Sequence, residues 1–386
     1  LVRILAAQAA EAAGDGAAAR LAYTAMLGFP EMRLAAHRGL MLADLADGDR
    51  AGALGHAQAA YALARTAPWA WRAVLDERLE AADWNAGLGL VQGALERKII
   101  TPVVAERARA ALRAALAASL EPVDAAGALE HANASVKARP DFAPGAVMAA
   151  RLLAAAGRLN RATQVIETAW KSRPHPALSL AYRDLVTDET PAARAGRLAA
   201  LIAANPDHRE SRILRIEQAL LAGDAAGARA AALTLESEPL TQRLAALFAR
   251  AATAAGDVDA ARAWIARGAA APQEPDWSDL DPEGKAFAYA PADWARLAAT
   301  YADTGELIHP RLERRERSLG DLPRLPAHYA QSAALLGPPE AGGLPPPIVD
   351  DADFADDLAA LPPATESSAL PAARGARAAR GGAKTH

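Results

Sequence analysis

The 386-residue chain contains no cysteine, which excludes a disulfide framework, a thiolate zinc site and a cysteine nucleophile. Reducing and oxidising compartments both tolerate such a chain, so its absence leaves the compartment open. Aromatic residues make up only 5% of a sequence that is 52% hydrophobic; alanine fills most of the gap. Alanine has the best helix propensity and the smallest core side chain, so the composition favours closely approaching helices over a sheet with an aromatic core. Neither sign of charge dominates: 42 basic against 46 acidic residues leave a net charge of −4, which gives no global field to attract nucleic acid or an anionic membrane. No uninterrupted apolar run reaches the roughly 18 residues of a membrane-spanning helix, and no signal peptide opens the chain. The first residue is leucine rather than methionine; this reads as a fragment or processed form, with room for an N-terminal anchor upstream.

What the sequence does have is a recurring helix-stop signal: Ala13-Gly14-Asp15, Asp47-Gly48-Asp49, Ala82-Asp83-Trp84, Ala156-Gly157-Arg158, Ala222-Gly223-Asp224 and Ala255-Gly256-Asp257. Gly14 to Gly48 and Gly48 to Ala82 are each 34 residues, Gly157 to Gly223 is 66 and Gly223 to Gly256 is 33. A period near 34 is that of the tetratricopeptide repeat, a helix–turn–helix unit. Five residues after each turn stands a small residue, where the two helices of a unit touch: Ala19, Ala53, Gly87, Ala162, Ala228 and Ala261. Four residues further on, Tyr23, Val91 and Ile166 suit packing, while Ala57 and Ala232 are undersized. Prolines that cannot continue a helical ladder close the second helix of a unit at Pro30, Pro140, Pro174, Pro206, Pro239 and Pro272. Ala82 takes the place of the glycine in one unit, and two further units lack the signal altogether. Ala128 and Pro140 place one turn near Val123, with about seven extra residues around Ile99–Val104, and another turn falls near Glu189–Pro191. The sequence therefore predicts an all-α, tetratricopeptide-type α-solenoid, a right-handed superhelix with about eight helical hairpins over residues 1–272. No single unit can bury its apolar face alone, so stacking must make one continuous core.

Residues 273–309 read as a C-terminal capping segment and helix. Trp277, Phe287 and Tyr289 are expected to cover the open end of the solenoid. Pro291 to Thr304 carries Trp294, Leu297 and Tyr301 at helical spacing before Gly305. Residues 310–386, rich in proline, alanine and glycine, lack a periodic apolar surface and read as a disordered tail.

Motifs that carry chemistry are scarce. There is no Gly-rich phosphate loop, no Gly-x-Ser-x-Gly elbow and no His-Glu-x-x-His pair, and no catalytic or metal-ligating set is predicted. His37 and Met41 stand at i, i+4 and have the chemistry of haem-iron ligands; at their places in the repeat they are better read as packing residues. Glu77, Glu80 and Asp83 read as a solvated helix face. The arginines are the candidate site. With the turn residue counted as position fifteen, Arg38, Arg72 and Arg113 occupy position five of successive units, while Arg151, like Arg250, occupies position nine. Both positions are expected to face the concave groove, where a row of guanidinium groups would bind carboxylates of an acidic peptide, a chain terminus or haem propionates. The competing reading is that long arginines cover apolar surface with their stems and solvate the helix face. Glu217 and Asp76, interleaved with them, favour that reading.

Several stretches resemble the HemY family of bacterial inner-membrane proteins associated with haem (protohaem) biosynthesis. They are Leu5-Ala6-Ala7-Gln8-Ala9-Ala10, Arg38-Gly39-Leu40, Ala67-Pro68-Trp69-Ala70, Ala149-Ala150-Arg151-Leu152-Leu153, Glu167-Thr168-Ala169-Trp170 with Pro174-His175-Pro176, and Asn205-Pro206-Asp207-His208. Pro275-Asp276-Trp277 and Pro291-Ala292-Asp293-Trp294 are similar to the alphaproteobacterial branch. The resemblance covers most of residues 1–310. It implies a non-enzymatic interaction scaffold at the inner membrane, with repeats in the cytoplasm and haem-pathway enzymes as partners. The family's two membrane-spanning helices and the cysteine pairs of some relatives have no counterpart in this chain. A haem-binding carrier and an assembly factor for envelope or cytochrome proteins remain the alternatives.

Overall fold

The structure, a computed structural model, describes residues 2–272, 274 and 286–310, all of them in the first of the chain's two compact units, 1–322. The second unit, 323–386, and with it nearly all of the expected tail, lies outside the described residues, as does Trp277. The described residues form seventeen α-helices and no strand. In chain order these are α1 (Val2–Ala12), α2 (Gly16–Met26), α3 (Arg33–Ala46), α4 (Arg50–Leu63), α5 (Pro68–Glu80), α6 (Trp84–Glu96), α7 (Pro102–Leu120), α8 (Ala125–Ala138) and α9 (Ala143–Ala155). There follow α10 (Leu159–Ser172), α11 (Pro176–Asp184), α12 (Pro191–Ala204), α13 (Arg209–Leu221), α14 (Ala225–Leu233), α15 (Gln242–Ala254), α16 (Val258–Ala269) and α17 (Pro291–Thr304). Up to α16 most helices pack on the next one in sequence, the signature of an all-α tetratricopeptide-type solenoid.

The recurring stop signal does two jobs. Gly48 follows α3 in the left-handed region, with φ 80°, and the next residue, Asp49, accepts a hydrogen bond from the Gly52 N–H at 2.9 Å to cap α4. Asp15, Asp83, Asp124, Asp224 and Asp257 cap their helices in the same way. Thus the first helix of a hairpin is stopped and the second started within three residues. The small residues five places on are buried at 0–6% exposure for Ala19, Ala53, Ala162, Ala228 and Ala261, and Gly87 is buried as well. Their missing side-chain bulk lets paired helices approach closely. Trp71 fills the space beside such a contact and donates its indole N–H to the Leu90 carbonyl at 3.1 Å.

The two turns that lack the stop signal altogether are built differently. The extra residues before α7 are partly absorbed as helix: Thr101 caps it, Pro102 opens it, and α7 runs for 19 residues where α5 and α9 run for 13. Between α11 and α12 the turn is held by side chains, with Arg194 Nε 3.0 Å and Arg197 Nε 3.1 Å from the carboxylate of Glu189. Here α11, only nine residues long, touches α12 little and packs mainly on α9 and α10.

Ala82 holds the turn position that glycine holds at Gly48, and its φ is 55°. The left-handed region costs a residue with a Cβ about 1–2 kcal/mol, offset in part by the greater chain entropy that glycine loses on folding. Ala82→Gly is therefore expected to stabilise the protein by about 0.5–1 kcal/mol. Urea unfolding of the variant beside the parent checks this; an unchanged or lower midpoint contradicts it.

Candidate functional site

Of the aromatics expected to cap the open end of the solenoid, Trp277 lies outside the described residues, and Phe287 and Tyr289 pack against the core of the middle repeats instead. After α16 the chain returns to the middle of the repeats, and α17 lies against α7 and α5 rather than on α15 or α16. Trp294, Leu297, Ala298 and Tyr301 are 1–3% exposed and share one core with residues of α4 to α13. The physical reason is the surface of α7. Ala110, Ala111, Ala114, Ala115 and Ala117 are all buried at 0–1% exposure, a span too apolar to be satisfied by two neighbours alone. A helix that is apolar over most of its circumference is a buried helix, and α17 supplies the cover that α7 needs. The terminal helix α16 keeps Val258 and Ile265 exposed.

Polar contacts fix the returning segment at several points. Glu274 is buried and reaches Arg209 at 2.8 Å, Arg243 at 3.2 Å and the Thr241 hydroxyl at 2.9 Å. Arg243 also reaches Glu210, at 2.7 Å. Those arginines hold the Glu274 carboxyl below its ordinary range against the opposing effect of burial. Next, Arg151 on α9 donates to the Ala286 carbonyl at 3.3 Å while its other Nη pairs with Glu121. At the far end of α17, Arg72 on α5 donates through Nη1 to both carboxylate oxygens of Asp303, at 2.7 and 2.9 Å, and through Nε to Asp76 at 2.8 Å. Arg173 donates to the Gly305 carbonyl at 2.9 Å. Gly305 itself ends the helix at φ 77°, and a Cβ there would stand 2.4 Å from the Arg107 guanidinium carbon. Glycine is thus favoured by its backbone conformation, and the Arg107 guanidinium lies where a Cβ would stand.

The four arginines of the predicted row consequently differ. Arg72 and Arg151 hold the chain's own C-terminal segment. Arg113 meets His131 Nδ1 on α8 at 2.7 Å. Arg38 on α3 is exposed. Sequence reasoning gave the positions but not that two of them have an internal occupant, and it missed Glu274, Arg107 and Arg173. The remaining candidates resolve as follows. Met41 is buried against Ala53 and Ala57, whereas His37 is half-buried with Nδ1 3.0 Å from Nδ1 of His56. Asp83 is a helix cap and Glu77 pairs with Arg78 at 3.0 Å, so the acidic trio does not converge. Among the described residues no group of three or more His, Asp or Glu is placed to hold a metal ion, and no helix is long and apolar enough to cross a membrane.

His175 lies where the returning segment meets α11. Its ring is 6.1 Å from that of Phe287, and its Nδ1 accepts from the Ala177 N–H at 3.2 Å. Complete burial, reinforced by Arg243 and Arg173 and opposed by Glu274, lowers its pKa to about 3. The folded protein therefore keeps it neutral at pH values where the unfolded chain, with an ordinary pKa near 6.5, takes up a proton. Stability from this group is complete above about pH 6.5 and falls by on the order of 1.4 kcal/mol per pH unit below it. His175→Asn retains an acceptor for the Ala177 N–H and should flatten the acid limb of a plot of Tm against pH between 6.5 and 4. A parallel limb in the variant would assign the acid sensitivity elsewhere.

Anchoring by apolar burial and by charge can also be separated. Trp294→Ala is expected to cost about 3–5 kcal/mol, whereas Asp303→Ala, which removes a half-exposed ion pair, should cost less than about 1 kcal/mol. Chemical denaturation of both variants checks the order; a larger effect at Asp303 reverses the assignment.

No family model and no curated protein matches this chain. Among solved structures it is similar to a tetratricopeptide repeat protein from Parabacteroides merdae ATCC 43184, at 15% identity over 68% of this chain and 99% of that one, with a TM-score of 0.32. It is also similar to the TPR domain of P58(IPK), at 14% identity over 69% and 95% of the two chains, with a TM-score of 0.22. The repeat architecture rests on the helix order, the turn residues and the buried small residues of this chain itself. Solenoids of this kind present extended surfaces that hold other polypeptides.

Proposed function

We propose that this chain is a non-enzymatic interaction scaffold of the bacterial inner membrane that organises late haem-pathway enzymes through its repeats. One observation carries the scaffold reading: the solenoid holds a helix distant in sequence, α17, across α5 and α7 by apolar burial and by arginines that grip its C-terminal end. A surface that receives one helix in this way is suited to receive others. The resemblance of the repeat sequences to the HemY family supports the membrane and haem-pathway setting, with the anchor and cytoplasmic orientation of that family. Within this reading the arginine row Arg38, Arg72, Arg113 and Arg151 is the partner-contact surface, and the use of Arg72 and Arg151 by the chain's own segment directs the partner toward Arg38.

Affinity purification of the protein from detergent-solubilised membranes should enrich enzymes of late haem synthesis, with yield falling as salt rises because exposed ion pairs are screened over about 8 Å at physiological ionic strength. Recovery of cytochrome or envelope precursors instead would replace this reading with an assembly factor. Titration with haem should leave the Soret band where free haem has it. A shift that His37→Ala abolishes would make the protein a haem carrier.

A further inference from the structure

The contact between α17 and the repeats shows what the groove accepts. α17 presents Trp294, Leu297, Ala298 and Tyr301 on one side, all buried, and carries Asp303 in its last turn, where Arg72 takes both oxygens. Arg72 stands at position five of its unit and Arg151, which meets the same segment at Ala286, at position nine. In those two units the positions meet the returning segment, whereas Arg113, at position five of the unit between them, turns to His131 on α8. One unit before Arg72, α3 brings Arg38 to position five and Leu42 to position nine. There the groove is open. Leu42 is 50% exposed, Leu45 51% and Leu34 36%, and at 3.6 residues per turn all three share one side of α3 with Arg38. Arg38 is exposed and has no hydrogen-bond or ion-pair partner among the described residues.

Three exposed leucines around one uncommitted guanidinium form the same pairing of apolar surface and positive charge that α17 satisfies further along. We propose that this face of α3 is a docking site for an amphipathic helix of a partner protein that carries an aspartate or glutamate in its last turn. The partner's apolar stripe covers Leu34, Leu42 and Leu45, and its carboxylate pairs with Arg38 as Asp303 pairs with Arg72. Charge complementarity favours an acidic helix over a basic or neutral one, since arginine binds a carboxylate through charge-assisted hydrogen bonds. The inference deepens the scaffold reading and rests on it: it names the chemistry of the partner and places it at the N-terminal part of the groove.

The probe is a fluorescent peptide with the sequence of residues 291–304, which has the required stripe and terminal aspartate, titrated into the whole chain and followed by anisotropy. Saturable binding is expected, weakened at least tenfold by Arg38→Glu and by Leu42→Glu. A peptide with lysine in place of Asp303 should bind the parent at least tenfold more weakly and recover on the Arg38→Glu chain. Because Arg38 is exposed, the melting temperature of Arg38→Glu should match the parent, which excludes unfolding as the cause. Absence of saturable binding, or binding indifferent to Arg38→Glu, overturns the proposal. So does loss on Arg72→Glu in place of Arg38→Glu, because the peptide is then exchanging into the seat of α17. None of these outcomes decides whether the membrane purification recovers haem-pathway enzymes, so the two readings fail separately.

Discussion

Close approach between helices, made possible by side chains no larger than a methyl group, is the constraint on which this structure depends. Ala53, Ala162 and Ala228 sit where the two helices of a hairpin meet, and each is buried to 4% exposure or less. Dispersion falls off steeply with separation, so helices that touch through Cβ atoms gain from many backbone and side-chain contacts at once. The cost of such contacts is low lateral bulk. An alanine surface buries little area per residue, and a helix such as α7 needs neighbours on nearly every side to be stable. The additional helix α17 is the consequence: its tryptophan, leucine and tyrosine supply the volume that the alanines of α7 do not have.

The same constraint explains how polar contacts are used. The arginines that meet the returning segment add direction to an association whose energy is apolar. Arg72 and Arg173 grip the C-terminal end of α17, where the unpaired carbonyls and the helix dipole favour positive charge. Glu274 sits between Arg209 and Arg243, buried, and a carboxylate in such a place is tolerable only when fully paired.

Much of this was legible in the sequence, for local reasons. A left-handed turn residue, an aspartate cap and a small residue five places later each impose a local requirement, so Gly48, Asp49 and Ala53 can be read without knowing what lies elsewhere in the chain. The helix over residues 291–304 is likewise marked by its own proline, spacing and Gly305. Its docking place is not local. Nothing in its pattern distinguishes the exposed end of α16 from the alanine face of α7, and the deciding quantity, unsatisfied apolar surface on α7, belongs to the assembled repeats. For the same reason the arginine positions could be counted from the turns, while the internal partner of Arg72, 231 residues away, could not.

That separation gives the order of synthesis a physical meaning. In an ordinary solenoid each unit finishes its contacts when the next unit has left the ribosome. Here the alanine face of α7 and the guanidinium of Arg72 are made early and completed late. At about 5–20 residues per second, the interval between them is on the order of 10–50 s. Throughout it the alanine face of α7 and the Arg72 guanidinium lack the partner that completes them in the folded chain, so contacts opened by some of the first helices made are closed by the last one described.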